Sequence, residues 1–415
     1  MRIEGTRGSV VIVGAGHAGG TVAMELRAAG HGAPVTIVGD EPHVPYQRPP
    51  LSKAFLKGGL PEEKLELRPR AWYATHDVDL RLGEPVYAID RAARRLRLCG
   101  GETLAYDHLV LATGVRPARL AVPGANLEGV HHLRGIADAR RLATDLGGAG
   151  RLVVVGAGFT GLEVAASAAT LGCAVTLVAR GHKVLSRVAS APVATFLRAR
   201  HEAAGVAFRF GADVAAFLGD GDRVAGVRLG DGEVLACDRV LVAVGAEAND
   251  DLARRAGLAC ADGGIVVDGS GRTSDPAIFA IGDVSVRPLP YLGGRLVRLE
   301  SVHNALEQAR IAAAVIAETP PPRLEPPWFW SDQYDLKLQT VGLVAEADDL
   351  VLRGDPEIGR FAVFHLAGDR LRAVEAINAP LDFAIGKQMV AKDAPISRDA
   401  LADPSVNIRA VATAH

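Results

Sequence analysis

The sequence predicts an α/β protein that contains two copies of one strand–helix–strand unit, followed by a separate C-terminal region. Three observations support this fold class. The glycine-rich run GAGHAG begins at Gly14 and follows a short apolar stretch, and a second run, GAGFTG, begins at Gly156 in the same context. A proline-rich stretch, Pro320–Pro322 and Pro326–Pro327, then indicates a domain boundary, because proline stiffens the chain and cannot continue a helix.

The first copy has every part of a Rossmann-like, dinucleotide-binding unit. Its apolar β-branched runs and its helical pattern predict the strand Ser9–Val13, the helix Gly20–Ala29 and the strand Val35–Val38. Gly14 makes the tight turn, Gly16 lets a pyrophosphate approach the helix N-terminus, and Gly19 allows close helix–strand packing. Asp40, about 20 residues further on, can accept hydrogen bonds from ribose hydroxyls.

The second copy repeats this order of elements. The pattern predicts the strand Arg151–Val155, the helix Leu162–Thr170 and the strand Ala174–Val178. Gly156, Gly158 and Gly161 take the places of the three fingerprint glycines. The copies lie too far apart for a solenoid repeat, so we expect two separate dinucleotide-binding domains and therefore two dinucleotides.

The second copy differs where the first has its acidic residue. The segment after its second strand contains Arg180, His182 and Lys183 instead of a carboxylate. An acid favours a free ribose 2′-OH, whereas a basic residue can accommodate a 2′-phosphate, which favours NADPH. The alternative is that Arg180 and Lys183 belong to a solvated turn, and the residues leave both interpretations open.

Three further segments look specific although they fit neither fingerprint. Tyr106–Gly114 and Asp238–Gly245 each predict a buried strand that ends in a turn of small residues. The turn residues expected to contact the dinucleotides are Thr113, Gly114 and Gly245. Asp283 follows an apolar strand and a glycine, where it could cap a helix, contact a ligand hydroxyl, or do both.

The composition excludes other classes of protein. With 46 Lys+Arg against 48 Asp+Glu, the net charge of −2 offers no broad attraction to nucleic acid or to an anionic membrane. Every apolar run is shorter than the ~18–20 residues of a membrane span, and Met1–Gly8 lacks the apolar centre of a signal peptide, so we expect a cytoplasmic protein. No metal site, disulfide or thiol redox centre is expected, and buried hydrophobic roles are favoured for the well-separated Cys99, Cys173, Cys237 and Cys260.

At this point the chain resembles a known family, the FAD-dependent NAD(P)H:ferredoxin reductases of bacterial oxygenase systems, within the glutathione-reductase-like flavoproteins. GAGHAG, LVLATG, GAGFTGLEVAA and TSDPAIFAIGD occur widely among flavoproteins that bind two dinucleotides. YQRPPLSK at 46–53, ESVHNALEQAR at 300–310 and PWFWSDQYD at 327–335 are more particular to the ferredoxin reductases. Together these motifs cover nearly the whole chain.

The resemblance implies a division into domains. It gives a discontinuous FAD-binding domain at residues 1–115 and 247–320, an NAD(P)-binding domain at 116–246 and a C-terminal α/β domain at 321–415. It also implies that Lys53, Glu163 and Pro49 are catalytic. The residues implied to contact FAD are Ala18, Asp40, Arg48, Lys53, Val86, Arg134, Asp283 and Val302, with Glu163 close to the nicotinamide.

Physical chemistry makes a role for Lys53 reasonable. A hydride that arrives at the flavin brings negative charge, which a fixed ammonium stabilises, and Glu163 could hold that ammonium in place. Without the family, an ordinary surface lysine after Ser52 is the simpler interpretation. Arg134 could likewise bridge to pyrophosphate or lie in a solvated loop.

The C-terminal segment contains an aromatic cluster, Trp328, Phe329 and Trp330. Such a cluster could be an aromatic plug, but the resemblance implies that Trp330 contacts the flavin. A set of arginines could form a docking patch for an acidic ferredoxin or could simply be solvated: Arg287, Arg295, Arg298 and Arg310.

The expected function is electron transfer from NAD(P)H through FAD to a [2Fe–2S] ferredoxin that serves a haem monooxygenase or a ring-hydroxylating dioxygenase. The family implies NADH, and Arg180 suggests NADPH. Residues 42–60 contain no cysteine, which separates the chain from disulfide reductases. The alternatives are a rubredoxin reductase or NADH oxidase, and a signalling flavoprotein similar to apoptosis-inducing factor. We expect a monomer or a weak homodimer that binds neither nucleic acid nor membrane.

Overall fold

A computed structural model of the chain describes residues 8–261 and 263–411. The absence of a signal peptide was predicted from the segment Met1–Gly8. All of this segment except Gly8 lies outside the described residues. The chain divides into two compact units. Unit 1 comprises Met1–Arg48, Pro61–Arg116 and Ala246–Leu324, and unit 2 comprises Pro49–Leu60, Pro117–Gly245 and Glu325–His415.

Unit 1 is built on a parallel sheet of short apolar strands. Their spatial order is Ile278–Ala280, His108–Leu111, Val10–Val13, Val35–Gly39 and Val78–Leu82. The sheet has a separate core on each face, as a strand buried on both sides requires. Ile12 and Ile37 pack on one face with Phe279, whereas Val11 and Leu109 pack on the other.

Helices and smaller sheets complete unit 1. The helices are His17–Ala28, Arg70–Thr75, Asp251–Arg255 and Val302–Ile316, with 3₁₀ turns at Glu62–Lys64, Gly282–Val284 and Pro290–Leu292. An antiparallel meander is formed by Val86–Asp90, Arg95–Leu98 and Thr103–Ala105. A mixed sheet is formed by Cys260–Ala261, Gly264–Val266, Ser285–Leu289 and Arg295–Val297. The short strands Val115–Pro117 and Ala246–Ala248 pair where the chain leaves and re-enters this unit.

Unit 2 repeats the parallel sheet. The spatial order is Val130–His131, Arg239–Val242, Arg151–Val155, Ala174–Ala179 and Ala207–Phe210. As in unit 1, an antiparallel meander comes just before a central strand of the parallel sheet, here Arg239–Val242. Its strands are Val214–Asp220, Arg223–Leu229 and Val234–Ala236. The helices of this part are Ile136–Leu146, Phe159–Thr170 and Ala191–Ala203, and a 3₁₀ turn lies at Pro49–Ser52.

The C-terminal part of unit 2 is an antiparallel sheet covered by helices. Its strands, in spatial order, are Trp328–Gln333, Leu336–Gly342, Arg370–Ile377, Arg360–Ala367 and Asp349–Asp355. A 3₁₀ turn lies at Val344–Glu346, and the helices are Pro380–Lys392, Arg398–Ala402 and Ile408–Val411. The proline-rich stretch has no regular secondary structure and lies between the helix that ends at Ile316 and the strand that begins at Trp328.

Both fingerprint helices begin three residues earlier than the sequence predicts, at His17 and Phe159. The third glycine of each fingerprint, Gly19 or Gly161, is therefore part of the first helical turn. Position 19 must be a glycine, because a methyl group on its Cα would overlap the carbonyl oxygen of Gly14. Gly161 has the same relation to Gly156. Close packing thus outweighs the low helix propensity of glycine.

Candidate functional site

The N-terminus of the first fingerprint helix is open to a ligand. Gly16 is the N-cap residue, no side chain caps the helix, and its first turn contains no acidic residue. A methyl group on Gly16 would meet no atom within 4 Å. The first backbone N–H groups of a helix have no intrahelical partner, and here they and the positive end of the helix dipole face this space, which fits the pyrophosphate of FAD.

The second fingerprint helix begins in the same way. Gly158 is its N-cap residue in extended conformation, without a side-chain cap, and the space beside its Cα is also open. Gly14 and Gly156 have φ angles of 117° and 113°, which other residues rarely adopt. The backbone of unit 2 therefore fits a second dinucleotide, the nicotinamide nucleotide.

Strand register gives Asp40 and Arg180 equivalent positions. Val38 pairs with Val13 in the first sheet and Val178 pairs with Val155 in the second, so each of the two residues lies two positions beyond its paired valine. The Arg180 side chain is 83% exposed, and its Nε lies 3.8 Å from an oxygen of Asp213. Arg180 is therefore available to a nucleotide.

The neighbouring basic residue has a different contact. The Lys183 ammonium donates a hydrogen bond of 2.8 Å to the carbonyl oxygen of Ala189. This bond fixes the turn that follows the strand. Arg180 is therefore less constrained than Lys183, and its contact with a 2′-phosphate stays a prediction.

The Lys53 ammonium forms an ion pair with Glu163 inside unit 2. Lys53 Nζ lies 2.6 Å from Glu163 Oε2 and also donates to the carbonyl oxygen of Pro49 at 3.1 Å. The two side chains are 17% and 8% exposed. The ion pair considered from the sequence is thus present, and it brings the three residues predicted to be catalytic together.

Two serines complete the contacts of this carboxylate, and sequence reasoning missed both. Ser52 Oγ donates to Glu163 Oε2 and Ser331 Oγ donates to Glu163 Oε1, each at 2.6 Å. Ser167 donates at 2.7 Å to the backbone oxygen of Ser52. Ser52 and Ser331 both lie in the motifs YQRPPLSK and PWFWSDQYD, which was the one signal that could have singled them out.

Arg48 is held by an acidic and an aromatic side chain of unit 1. Its guanidinium contacts Glu41 Oε1 at 2.6 Å and donates to the Tyr46 hydroxyl at 2.7 Å. Burial opposes ionisation of Glu41, but Arg48 and the Tyr46 hydroxyl outweigh it, so the pKa of Glu41 is lowered. Arg48 is therefore a fixed cation, and Glu41 is the partner that the sequence did not indicate.

The turns that end the central strands differ in how they are fixed. Thr113 Oγ1 donates at 2.8 Å to the backbone oxygen of Asn249. In return, the Asn249 side-chain amide donates at 2.9 Å to the backbone oxygen of Thr113. The oxygen of Gly114 accepts from the Asn249 backbone at 2.9 Å. Gly245 has a φ of 121° and open space beside its Cα, as a close approach of ligand to backbone requires.

The remaining predicted residues occupy several elements. Ala18 is buried in the first fingerprint helix, and Val302 is the first residue of Val302–Ile316. Val86 packs against a core cluster of unit 1, whereas the backbone of Arg134 in unit 2 donates to Asp138. Trp330, also in unit 2, is half-buried with its ring 5.5 Å from that of Trp328. No contact described here assigns these residues to FAD, so their roles stay predictions.

The structure differs from the sequence interpretation at three places. Of the two roles left open for Asp283, helix capping is wrong, because Asp283 lies inside the 3₁₀ turn Gly282–Val284, which leads into a strand, and contact with a ligand hydroxyl stays a prediction. Arg287 is not a surface docking residue, because it is buried and paired with Glu307. The buried role favoured for the cysteines does not hold for Cys99, which is exposed. It holds for Cys237, whose burial raises the pKa of its thiol to about 11.

Comparison with known families decides where the chain belongs. Residues 8–309 match the family described as pyridine nucleotide-disulphide oxidoreductase, and residues 328–412 match the family described as reductase C-terminal. The chain belongs to the pyridine nucleotide-disulphide oxidoreductase family. The fold class predicted from the sequence is thereby confirmed.

Individual relatives place it among the ferredoxin reductases of that family. The chain is 49% identical to a probable ferredoxin reductase, CtmF, of Castellaniella defragrans, over 97% of this chain and 98% of that protein. It is 43% identical to rhodocoxin reductase of Rhodococcus erythropolis, over 98% and 95% of the two chains. The reductase in a crystal structure of the covalent putidaredoxin reductase–putidaredoxin complex matches with a TM-score of 0.95 and 40% identity, over 99% of both chains.

Family membership establishes the class of reaction. The chain is an oxidoreductase that uses FAD and NAD(P)H. Within residues 8–261 and 263–411, no group of three or more His, Cys, Asp or Glu side chains is arranged to hold a metal ion. Over the same described residues, every helix is too short or too polar to span a bilayer.

Proposed function

We propose that the protein passes electrons from NAD(P)H, through bound FAD, to a [2Fe–2S] ferredoxin that serves a haem monooxygenase or a ring-hydroxylating dioxygenase. The relatives support this acceptor, since they include reductases named for rhodocoxin, for putidaredoxin and for the anthranilate and biphenyl dioxygenase systems. FAD supplies the link between a donor of electron pairs and an acceptor of single electrons. We propose a cytoplasmic location for this exchange.

The observation that carries the proposal is the ion pair of Lys53 with Glu163. Glu163 lies on the helix that begins at the second fingerprint, so the ammonium is fixed to the unit that we assign to the nicotinamide nucleotide. A fixed cation stabilises charge that develops during hydride transfer without having to reorganise first. Lys53 and Glu163 are therefore the residues that we assign to this step, and the carbonyl oxygen of Pro49 helps to orient the ammonium.

The remaining binding assignments follow from the glycine loops. We assign FAD to Gly14, Gly16, Gly19 and the first fingerprint helix, with the ribose at Asp40, and we keep 1–115 with 247–320 as its domain. We assign NAD(P)H to Gly156, Gly158, Gly161 and the second fingerprint helix, within 116–246. The C-terminal domain, 321–415, contributes Trp330 to the flavin environment.

Stopped-flow absorbance at the flavin band tests the proposal. The yellow holoenzyme is mixed with NADH or with NADPH, and then with an oxidised [2Fe–2S] ferredoxin. We expect rapid bleaching by at least one nicotinamide, followed by fast reoxidation that requires the ferredoxin. The faster nicotinamide identifies the physiological donor.

Two other results would contradict the proposal. Reoxidation by oxygen at the same rate with and without ferredoxin would indicate an NADH oxidase. A persistent charge-transfer complex that ferredoxin leaves unchanged would indicate a signalling flavoprotein. Faster reoxidation by rubredoxin than by ferredoxin would change the acceptor and leave the first half of the reaction intact.

A further inference from the structure

A chain of hydrogen bonds leads away from Glu163 through the interior of unit 2. Gln333 Nε2 donates to Ser331 Oγ at 3.1 Å, and Gln333 Oε1 lies 2.9 Å from His201 Nε2. The Tyr334 hydroxyl lies 3.1 Å from His201 Nδ1. Ser331, Gln333 and His201 are each at most 2% exposed. Buried polar groups arranged in this way rigidify a site only if all of them are satisfied.

Each bond in the chain has a direction that its neighbour imposes. The Glu163 carboxylate can only accept, so the Ser331 hydroxyl must donate to it. The Ser331 oxygen then accepts from the Gln333 amide, which leaves the Gln333 carbonyl to accept from His201 Nε2–H. His201 Nδ1 is thereby left as the acceptor for the Tyr334 hydroxyl. Every donor points towards the carboxylate.

The protonation of His201 agrees with this pattern. Burial lowers the pKa of His201, and the hydrogen bond with Gln333 opposes this effect only in part. A neutral imidazole has one donor and one acceptor nitrogen, as the chain requires. Burial also raises the pKa of the Tyr334 phenol to about 12, so that it remains a donor at neutral pH.

The outer end of the chain is anchored on a helix. Tyr334 and Asp335 form the turn between the strands Trp328–Gln333 and Leu336–Gly342, and the φ of Tyr334 is 54°. The Arg200 guanidinium lies 4.3 Å from the centre of the Tyr334 ring and contacts Asp335 at 2.9 Å. Arg200 and His201, which are adjacent on Ala191–Ala203, therefore hold this turn at two points.

We propose that Ser331, Gln333, His201 and Tyr334 are positioning residues that fix the Glu163 carboxylate and, through it, the Lys53 ammonium. The amide of Gln333 lies in the middle, so the chain orients groups and does not conduct protons. The consequence for flavin reduction rests on the proposed function. The effect on Lys53 itself does not.

Ser331→Ala tests the inference most directly, because it removes the donor next to Glu163. We expect flavin reduction at saturating NAD(P)H to slow by about tenfold or more, since about tenfold is the lower limit for one lost hydrogen bond to a charged group. The apparent Kd for the nicotinamide should not change. Ser331→Thr, which keeps the hydroxyl, should restore the rate, and His201→Phe and Tyr334→Phe should have progressively smaller effects.

Ser190→Ala is the matched control. Ser190 is also a buried serine of unit 2, and its hydroxyl has no hydrogen-bond partner among the residues that the structure describes. A general loss of packing would lower the thermal midpoint of both alanine variants alike. Equal flavin reduction rates in Ser331→Ala and Ser190→Ala would overturn the inference.

A second measurement does not depend on catalysis. Acetylation of Lys53 in the holoenzyme by a limiting reagent is followed by mass spectrometry, and we expect Ser331→Ala to increase the rate several-fold, since the ammonium is held less firmly. An unchanged acetylation rate would overturn the inference, even if flavin reduction slowed. If Lys53→Met reduced its flavin normally, the proposed role of Lys53 would fail, and the acetylation rate would still decide whether the chain fixes Lys53.

Discussion

The two fingerprint helices, His17–Ala28 and Phe159–Thr170, begin alike and diverge one turn later. Counted from the first glycine of each loop, Thr21 and Glu163 occupy the same position. Both are buried. Among the residues that the structure describes, Thr21 Oγ1 has no hydrogen-bond partner, whereas the Glu163 carboxylate has an ammonium and two hydroxyls around it.

The features that the two helices share are those of nucleotide binding, and the feature that differs is one expected of a reaction site. The parts that the helices share, an open N-cap glycine and a close-packed glycine at the third helical position, are those that a pyrophosphate needs. The part that differs is a buried charge, which is costly unless paired and therefore indicates a functional role. In the function that we propose, one repeated unit holds FAD, while the other holds the nicotinamide nucleotide and also orients the Lys53 ammonium.

The largest expected effect comes from replacing the N-cap glycine of one glycine-rich loop at a time with a larger residue. A Cβ at position 16 or 158 would meet no atom within 4 Å, so a valine there would extend into the space that we assign to ligand, and both glycines already have extended backbone angles. Gly16→Val should yield colourless protein, because losing two hydrogen bonds to a pyrophosphate costs about 3–6 kcal/mol, or more than 100-fold in affinity. The flavin absorbance of the purified protein measures this.

The same change in the other loop is the matched variant. Gly158→Val should keep its FAD and bind NAD(P)H more weakly by a similar factor, as titration of the flavin spectrum would show. Retention of FAD in Gly16→Val, or loss of FAD in Gly158→Val, would contradict the assignment of cofactors to units.

Glu163→Thr makes the second helix resemble the first and should have the next largest effect. Lys53 would lose its ion pair, and a displacement of about 1 Å in a catalytic group costs about 100-fold in rate. Stopped-flow reduction by NAD(P)H should slow by this factor, as it should in Lys53→Met, while FAD content stays normal. A rate equal to that of the unmodified protein would remove the ion pair from the mechanism.

Arg180→Asp gives the second unit the acidic residue of the first. If Arg180 contacts a 2′-phosphate, the change should weaken NADPH binding by about 1.5–3 kcal/mol and improve the use of NADH. The ratio of kcat/KM for the two nucleotides measures the shift. An unchanged ratio would mean that Arg180 belongs to a solvated turn.

Ile12→Val should have the smallest effect. Ile12 and Val154 are equivalent, fully buried residues of the two central strands, and each lies beside the close-packed glycine of its own helix. Removing one methylene from a packed core costs about 1 kcal/mol. The urea midpoint should fall slightly with FAD retained. A large fall would show that the first core tolerates less change than the second.

The local parts of this fold could be predicted from the sequence. Apolar β-branched runs and spaced glycines located the central strands to within two residues, because both signals are short-range. The predicted helix starts were three residues late because Gly19 and Gly161, which have low helix propensity, were placed before the helices. Asp283 was misplaced for a related reason: a glycine and an acid after a strand resemble a helix start even where a 3₁₀ turn follows.

The partners of the site could not be predicted from the sequence. Ser331 and Glu163 are 168 residues apart, and Ser52 and Glu163 are 111 apart. A serine has no periodicity that shows which carboxylate it will contact. Arg287 illustrates the same limit, because its burial depends on Glu307, which lies on another element.

The two parallel sheets differ in where their outer strand comes from in the chain. In the first sheet the outer strand Ile278–Ala280 comes after its neighbour His108–Leu111, whereas in the second the outer strand Val130–His131 comes before its neighbour Arg239–Val242. The second sheet is complete once residue 242 has been synthesised, whereas the first lacks its outer strand until residue 280. On the ribosome, the strand that ends at Leu111 therefore presents an unpaired edge while about 170 more residues are added, roughly 10–30 s at bacterial elongation rates. The sheet whose strands begin earlier in the chain is therefore the sheet that is completed last, and during that interval the edge of the strand that ends at Leu111 is available for pairing with another strand.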